Sequence, residues 1–221
     1  MADNAWNGSY GNVVERWEYA SEERQSALVL PDGCRDLIGT VAPSGQPTWF
    51  ISALQDSVMV KSVEAGQRFI GYRLRPGTLI DDQALLLAVQ KRDILDISGV
   101  ASDLVAHTAR LAALDEALAS IQEGLPTLSS DHWPTIGERK LQRLFQRHTG
   151  KPPVFWRRLA RWRKAMRWLN QPIELAEIAL MAGYSDQAHM TKECRRWCGM
   201  TPQAARDAQA RGDVLLAQAF A

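Results

Sequence analysis

Gln187, Thr191, Lys192 and Arg195 lie within nine positions, at spacings that repeat on one face of a helix. The set holds an amide, a hydroxyl and two cations. Together these groups donate and accept hydrogen bonds and neutralise anions, which is what a base edge in the major groove and its flanking phosphates require. Met190, Cys194 and Trp197 fall on the opposite side and read as the buried face of the same helix. In "VFWRRLARWRKAMRWLN", Arg157, Arg158, Arg161 and Lys164 are either solvated or line a phosphate backbone, and the second reading is favoured for one or two of them. Trp156, Trp162 and Trp168 are expected to pack in the core, with some of them partly exposed.

The three cysteines invite other chemistry. Cys194 and Cys198 are four apart, with His189 nearby, a spacing that a metal tolerates. A fourth ligand is not evident, so core packing is the preferred reading and no metal or other cofactor is expected. Cys34, in "PDGCRD", could act as a redox-sensing thiol or as the nucleophile of a DNA-targeted alkyl-transfer enzyme. No convincing base or metal cluster surrounds it in sequence, and His107 and His132 complete no catalytic constellation. The chain is therefore not expected to be an enzyme.

These residues need elements to hold them. "IELAEIALMAGYSDQAHMTKECRRW" fits a helix-turn-helix: Leu175, Ile178, Ala179 and Ala182 form one buried face, Gly183 opens the turn, and Ser185 is a candidate N-cap of the second helix. "GERKLQRLFQRHTG" is a helix ending at Gly150. Pro152 and Pro153 suit the first turn of the next, a helix of about 16 residues and roughly 24 Å. Upstream, "SALVLPDGCRDLIGTVA" and "PTWFISALQDSVMVKSVEAGQRFIGYRLRPG" show short apolar runs and frequent turn residues, which predict a small sheet or partial barrel over about residues 12–80. From Asp81 the apolar spacing turns helical. The helices between Asp81 and Gly124 either dimerise or pack on the sheet.

The 221 residues allow one large domain or two small ones. A net charge of +1 conceals an uneven distribution. Residues 1–135 carry 10 Lys/Arg against 18 Asp/Glu, whereas residues 136–170 carry 11 against one. A local excess of that size favours phosphate binding through counterion release, although a solvated basic helix has the same composition. No apolar run approaches the ~20 residues that span a bilayer, and no secretory signal is apparent. A cytoplasmic protein without a membrane partner is expected, and three cysteines suit a reducing compartment.

Residues from about 136 to 206 resemble the DNA-binding domain of the AraC/XylS family of bacterial transcription regulators. The resemblance rests on "IALMAGYSDQAHMTKECRRWCGMTPQAAR" and, ahead of it, "LQRLFQRHTGKPP". "LPDGCRDLIG" and "GYRLRPG" also resemble a small β-rich domain often fused to this module. The family likeness implies two helix-turn-helix units joined by the long helix. Their recognition helices would enter successive major-groove segments about 34 Å apart. It places Arg139, Gln142 and Arg143 at contact positions of the first recognition helix, with Leu141 and Phe145 in the core. It places Gln187, Thr191 and Lys192 at contact positions of the second, and Ala188 where some relatives carry a longer polar side chain.

The first unit departs from the pattern. Its leading helix should occupy "LSSDHWPTIGER", where Pro134 stands inside the expected helix–turn region and Gly137 replaces a Ser-type cap. Pro costs ~3 kcal/mol inside a helix. This half is therefore expected either to end its helix early or to be remodelled.

The expected fold is α+β: a β-rich regulatory or dimerisation domain over 1–80, a helical connector over 81–127, and an all-α DNA-binding domain over 128–221. The expected function is sequence-specific regulation of transcription through double-stranded DNA. A degenerate, protein-interacting regulator is the remaining alternative. Beyond DNA, the likeness admits RNA polymerase, a small-molecule effector and a second copy of the chain as partners. Trp49, Phe50, Tyr72 and Arg73 are the candidates for an effector pocket.

Overall fold

The computed structural model describes residues 11–42, 47–123 and 137–210. The irregular "LSSDHWPT" segment, with Pro134 and His132, lies outside them. Two compact units emerge. The first comprises residues 1–26, 34–54 and 62–115, and the second residues 27–33, 55–61 and 116–221.

The first unit is built on a four-stranded antiparallel sheet. Its strands are β1 (Val13–Ala20), β3 (Arg35–Val41), β4 (Thr48–Ile51) and β6 (Arg68–Leu74), in the order β1-β6-β3-β4. Alternation along β6 sends Ile70, Tyr72 and Leu74 to one face, where Leu37 and Trp49 join them. Helices α1 (Asp82–Val89) and α2 (Ile97–His107) supply Leu85, Val89, Val100 and Leu104 to the same core. Of the two roles open to these helices, packing on the sheet is the one observed. Each starts on an aspartate cap: Asp81 accepts from the Ala84 amide and Asp96 from the Gly99 amide. On the other face of the sheet the Trp17 indole covers Gly71, where any β-carbon would overlap it. A short pair, β7 (Leu79–Ile80) with β8 (Thr108–Ala109), precedes α3 (Ala112–Gln122).

The second unit is mainly helical. Helix α4 (Glu138–Thr149) buries Leu141 and Phe145, and α5 (Pro153–Leu169) buries Phe155, Trp156, Leu159, Trp162, Met166 and Leu169. Then follow α6 (Leu175–Met181), α7 (Gln187–Cys198) and α8 (Pro202–Ala210). Edge-to-face rings tie the interior together, with Phe155 at 5.3 Å from Trp156 and 5.7 Å from Trp197. Trp156 and Trp162 are buried as expected, and Trp168 is half-buried.

Two segments from the β-rich part of the sequence belong to this helical unit. β2 (Gln25–Val29) and β5 (Met59–Val63) form a separate two-stranded sheet. The turn after β2 brings Gly33, at φ +84°, against Trp156 and Leu159. A carbonyl at Asp32 accepts from Arg163. Asp56 binds Lys151 through its carboxylate and Arg196 through its carbonyl.

Candidate nucleic-acid interface

Helix α4 has a strongly amphipathic sequence. Leu141 and Phe145 anchor it, and Arg139, Gln142 and Arg143 are all exposed on the remaining surface. Gly137 caps it without a side-chain hydrogen bond, as its lack of a side chain dictates. At the other end Gly150 adopts φ +68° and returns its amide to the Gln146 carbonyl. Arg143 Nε lies 3.3 Å from the Arg139 carbonyl, which orients the guanidinium along the helix.

The second helix-turn-helix is complete. Ile178, Ala179 and Ala182 are buried and Leu175 is half-buried. The chain reverses at Gly183, at φ +86°, where a side chain would be strained. Tyr184 follows and is 3% exposed. The N-cap of α7 is Asp186, not Ser185. Asp186 is extended, and its carboxylate accepts from the His189 amide at 2.7 Å. A carboxylate is the stronger acceptor and meets the positive end of the helix dipole. Its pKa is lowered below the usual range, chiefly by that amide. Ser185 instead places its hydroxyl 3.1 Å from His189 Nδ1.

On α7, Met190, Cys194 and Trp197 are buried as the periodicity requires, together with Glu193 and Cys198. Glu193 accepts from the Trp197 indole at 3.3 Å, which satisfies a carboxylate on the edge of the core. Cys194 and Cys198 pair with one another at 3.5 Å between sulfurs. Among the described residues no group of three His, Cys, Asp or Glu side chains is placed to hold a metal. Gln187, Ala188, Thr191, Lys192 and Arg195 line one open surface concavity of about 610 Å³. The Thr191 hydroxyl donates to the Gln187 carbonyl at 2.8 Å, so its methyl and its oxygen lone pairs are what the surface offers.

Ion pairing is denser in the sheet unit, although Arg68, Arg75 and Lys91 there form no ion pair among the described residues and Lys151 of the helical unit pairs with Asp56. In the sheet unit, Arg16, Arg24, Arg35, Arg73, Arg92 and Arg110 each form an ion pair with an aspartate or glutamate. Among the described residues, Arg139, Arg143, Lys192 and Arg195 form none, nor do Arg157, Arg158 and Lys164 on α5. Lys164 is exposed, whereas Arg157 and Arg158 are half-buried, with Arg157 Nε out of contact with solvent.

The four pocket candidates are not brought together. Trp49 and Tyr72 point into the core of the sheet unit, with ring centroids 6.5 Å apart, and the Trp49 indole reaches the Arg92 carbonyl. Phe50 and Arg73 alternate to the opposite face, where Arg73 pairs with Glu15 and Asp36. Adjacent residues of one strand cannot line one cavity on one side of a sheet. Cys34 is half-buried.

Periodicity did not single out two bracing arginines. Arg206 of α8 donates to the Leu169 and Ile173 carbonyls, closing the end of α5. Arg161 donates to the Gly183 carbonyl in the turn of the second helix-turn-helix. Neither contact has a local sequence signal, because each joins segments more than twenty residues apart.

A helix-turn-helix architecture with an exposed polar face and unpaired cations defines a nucleic-acid-binding class of domain. Residues 135–208 match the family model described as "Helix-turn-helix domain". Over 101 residues, 45% of this chain, it is 33% identical to the HTH-type transcriptional regulator GlxA of Rhizobium meliloti. Over 44 residues, 20% of this chain, it is 48% identical to the HTH-type transcriptional regulator VirS of Mycobacterium tuberculosis. The matched stretches span 31% and 13% of those relatives' own lengths. A solved transcriptional regulator with an AraC-type DNA-binding domain, from Chromobacterium violaceum, is 27% identical. That match covers 45% of this chain and 89% of that one, at a TM-score of 0.39. The C-terminal third of the chain is a helix-turn-helix domain of the AraC type.

Proposed function

We propose that the chain is a DNA-binding transcription regulator that reads two successive major-groove segments, one with α4 and one with α7. The observation that carries this is the set of cations without an ion pair on the exposed faces of α4 and α7. The arginines named in the sheet unit are neutralised internally, whereas those on the exposed faces of α4 and α7 are left for an external anion. Arg139, Arg143, Lys192 and Arg195 supply phosphate affinity in this reading, and Gln142, Gln187 and Thr191 supply base discrimination. Arg157, Arg158 and Lys164 extend the basic surface along α5. The segments 27–33 and 55–61 pack on the helical unit and continue directly into strands of the sheet unit. They offer a covalent route by which the state of the sheet could bias DNA binding.

The test is selection from random duplexes by the purified chain, followed by footprinting of the winners. The expected result is a motif spanning about two helical turns. Arg143→Ala should relax one half of the motif and Thr191→Ala the other. Salt-sensitive binding without an enriched motif would overturn the reading.

A further inference from the structure

Arg161 sits on α5 amid residues that suggest a phosphate surface, yet its contacts run inward. Its Nη1 lies 3.4 Å from the Gly183 carbonyl, at the point where the chain turns from α6 towards α7. Its guanidinium carbon stands 5.4 Å from the centroid of the Tyr184 ring. Its stem passes within about 4 Å of the position a Gly183 β-carbon would occupy, and its Nε is buried and unbonded. The Tyr184 ring in turn meets the His189 imidazole edge-to-face at 5.2 Å. His189 is in the first turn of α7, held there by Ser185 and Asp186. A continuous set of contacts therefore links the middle of α5, through the turn, to the end of α7 that carries Gln187 and Thr191.

We propose that Arg161 is a positioning residue for the second recognition helix. It fixes the Gly183–Tyr184 turn, and hence the angle at which α7 meets a base edge, without neutralising a phosphate itself. The planar guanidinium is what the site uses, because it stacks on the ring while donating to the carbonyl. An ammonium does not reproduce that geometry. The inference rests on the DNA-reading function proposed above.

The experiment measures affinity for the selected duplex and for random-sequence duplex across a salt series, for the full chain and for Arg161→Lys and Arg161→Met. Amide spectra of each variant report folding. The expected result is a loss of about tenfold for the selected duplex in both variants, with random-duplex affinity and the slope of log K against log salt unchanged. A phosphate-contacting residue behaves differently. Met then lowers the slope by about 0.9 for both duplexes and Lys restores binding, a result that overturns the proposal. Wild-type affinity in either variant also overturns it. So does loss of folding in both, which makes Arg161 part of the core and not of the reading machinery. If the unsubstituted chain does not prefer the selected duplex, the DNA-reading function itself fails, and that arm is read first.

Discussion

The Lys151 ammonium stands 2.8 Å from the carboxylate of Asp56, ninety-five positions earlier in the chain. With Arg196 and Arg163 on the Asp56 and Asp32 carbonyls, it holds the segments 27–33 and 55–61 on the helices of their own unit. The ion pair is exposed and contributes little. Asp56→Ala should cost less than about 1 kcal/mol. The apolar contact beneath it is worth more. A β-carbon at Gly33 would sit 2.8 Å from Leu159 and 3.0 Å from Trp156, both buried, at a positive φ. Gly33→Ala should destabilise by roughly 1–3 kcal/mol. The lowered pKa of Asp56, caused chiefly by Lys151, means its small contribution is present above the unfolded carboxylate pKa. It is lost as pH falls through the lower, folded value. Chemical denaturation of both variants at neutral and acid pH checks the ranking and the sign.

Thr191 spends its hydroxyl proton on the Gln187 carbonyl. The group it can present to DNA is therefore a methyl, with acceptor lone pairs beside it. A methyl selects thymine through its C5-methyl group. Thr191→Val should keep the base preference at that position. Thr191→Ser should weaken it by about 0.8 kcal/mol, roughly fourfold, the worth of one buried methyl. Loss of the preference in Val with retention in Ser would assign the reading to the oxygen instead. Competition binding with single-base variants of the selected duplex decides between them.

The helical half was legible because its signals are local. Apolar spacing in "LQRLFQRH" and "QAHMTKECRRW", glycines at the turns after α4, α6 and α7 and a proline at the start of α5 are all read within one or two helical turns of chain. Strand existence was legible in the same way, from alternation in "FIGYRLRPG". What escaped was partly a local period passed over and partly non-local pairing. The grouping of Trp49, Phe50, Tyr72 and Arg73 ignored the two-residue period that sends neighbours to opposite faces. The pairing of cations could not be read at all, since the Arg35–Asp82 pair and the Arg73–Glu15 pair join residues 47 and 58 positions apart. The N-cap of α7 moved from Ser185 to Asp186 because both are capping residues and only backbone geometry separates them.

The three thiols should differ sharply in reactivity. Cys194 and Cys198 are 0% and 1% exposed, whereas Cys34 is half-buried. The neighbouring Cys198 sulfur and then burial push the Cys194 thiol up, which leaves it a poor nucleophile. In the native state an alkylating probe should add once, at Cys34, and three times after unfolding. Mass spectrometry of peptides from labelled protein gives the order. Rapid native labelling at Cys194 would mean that the core of the second helix-turn-helix opens readily.

Asp186 makes the start of α7 sensitive to acid. The His189 amide and, secondarily, the Ser185 hydroxyl hold its carboxyl below the ordinary range. A depressed folded-state pKa gives stability that is present above the unfolded pKa of about 3.9 and disappears as pH falls through the folded value. Near neutrality the cap should therefore be intact, and it should weaken only below about pH 4. Asp186→Asn keeps an oxygen acceptor that does not titrate and is an equally good N-cap. It should match the unsubstituted chain at low pH and fall slightly below it at neutral pH, where the charge on the helix dipole is lost. Asp186→Ala lacks the acceptor at every pH and should be the least stable of the three at neutrality. Its deficit should shrink on acidification. Thermal melts of the three chains between pH 3 and pH 7 test the order. A constant deficit for the alanine variant across that range would show that the carboxylate is not what holds the helix start.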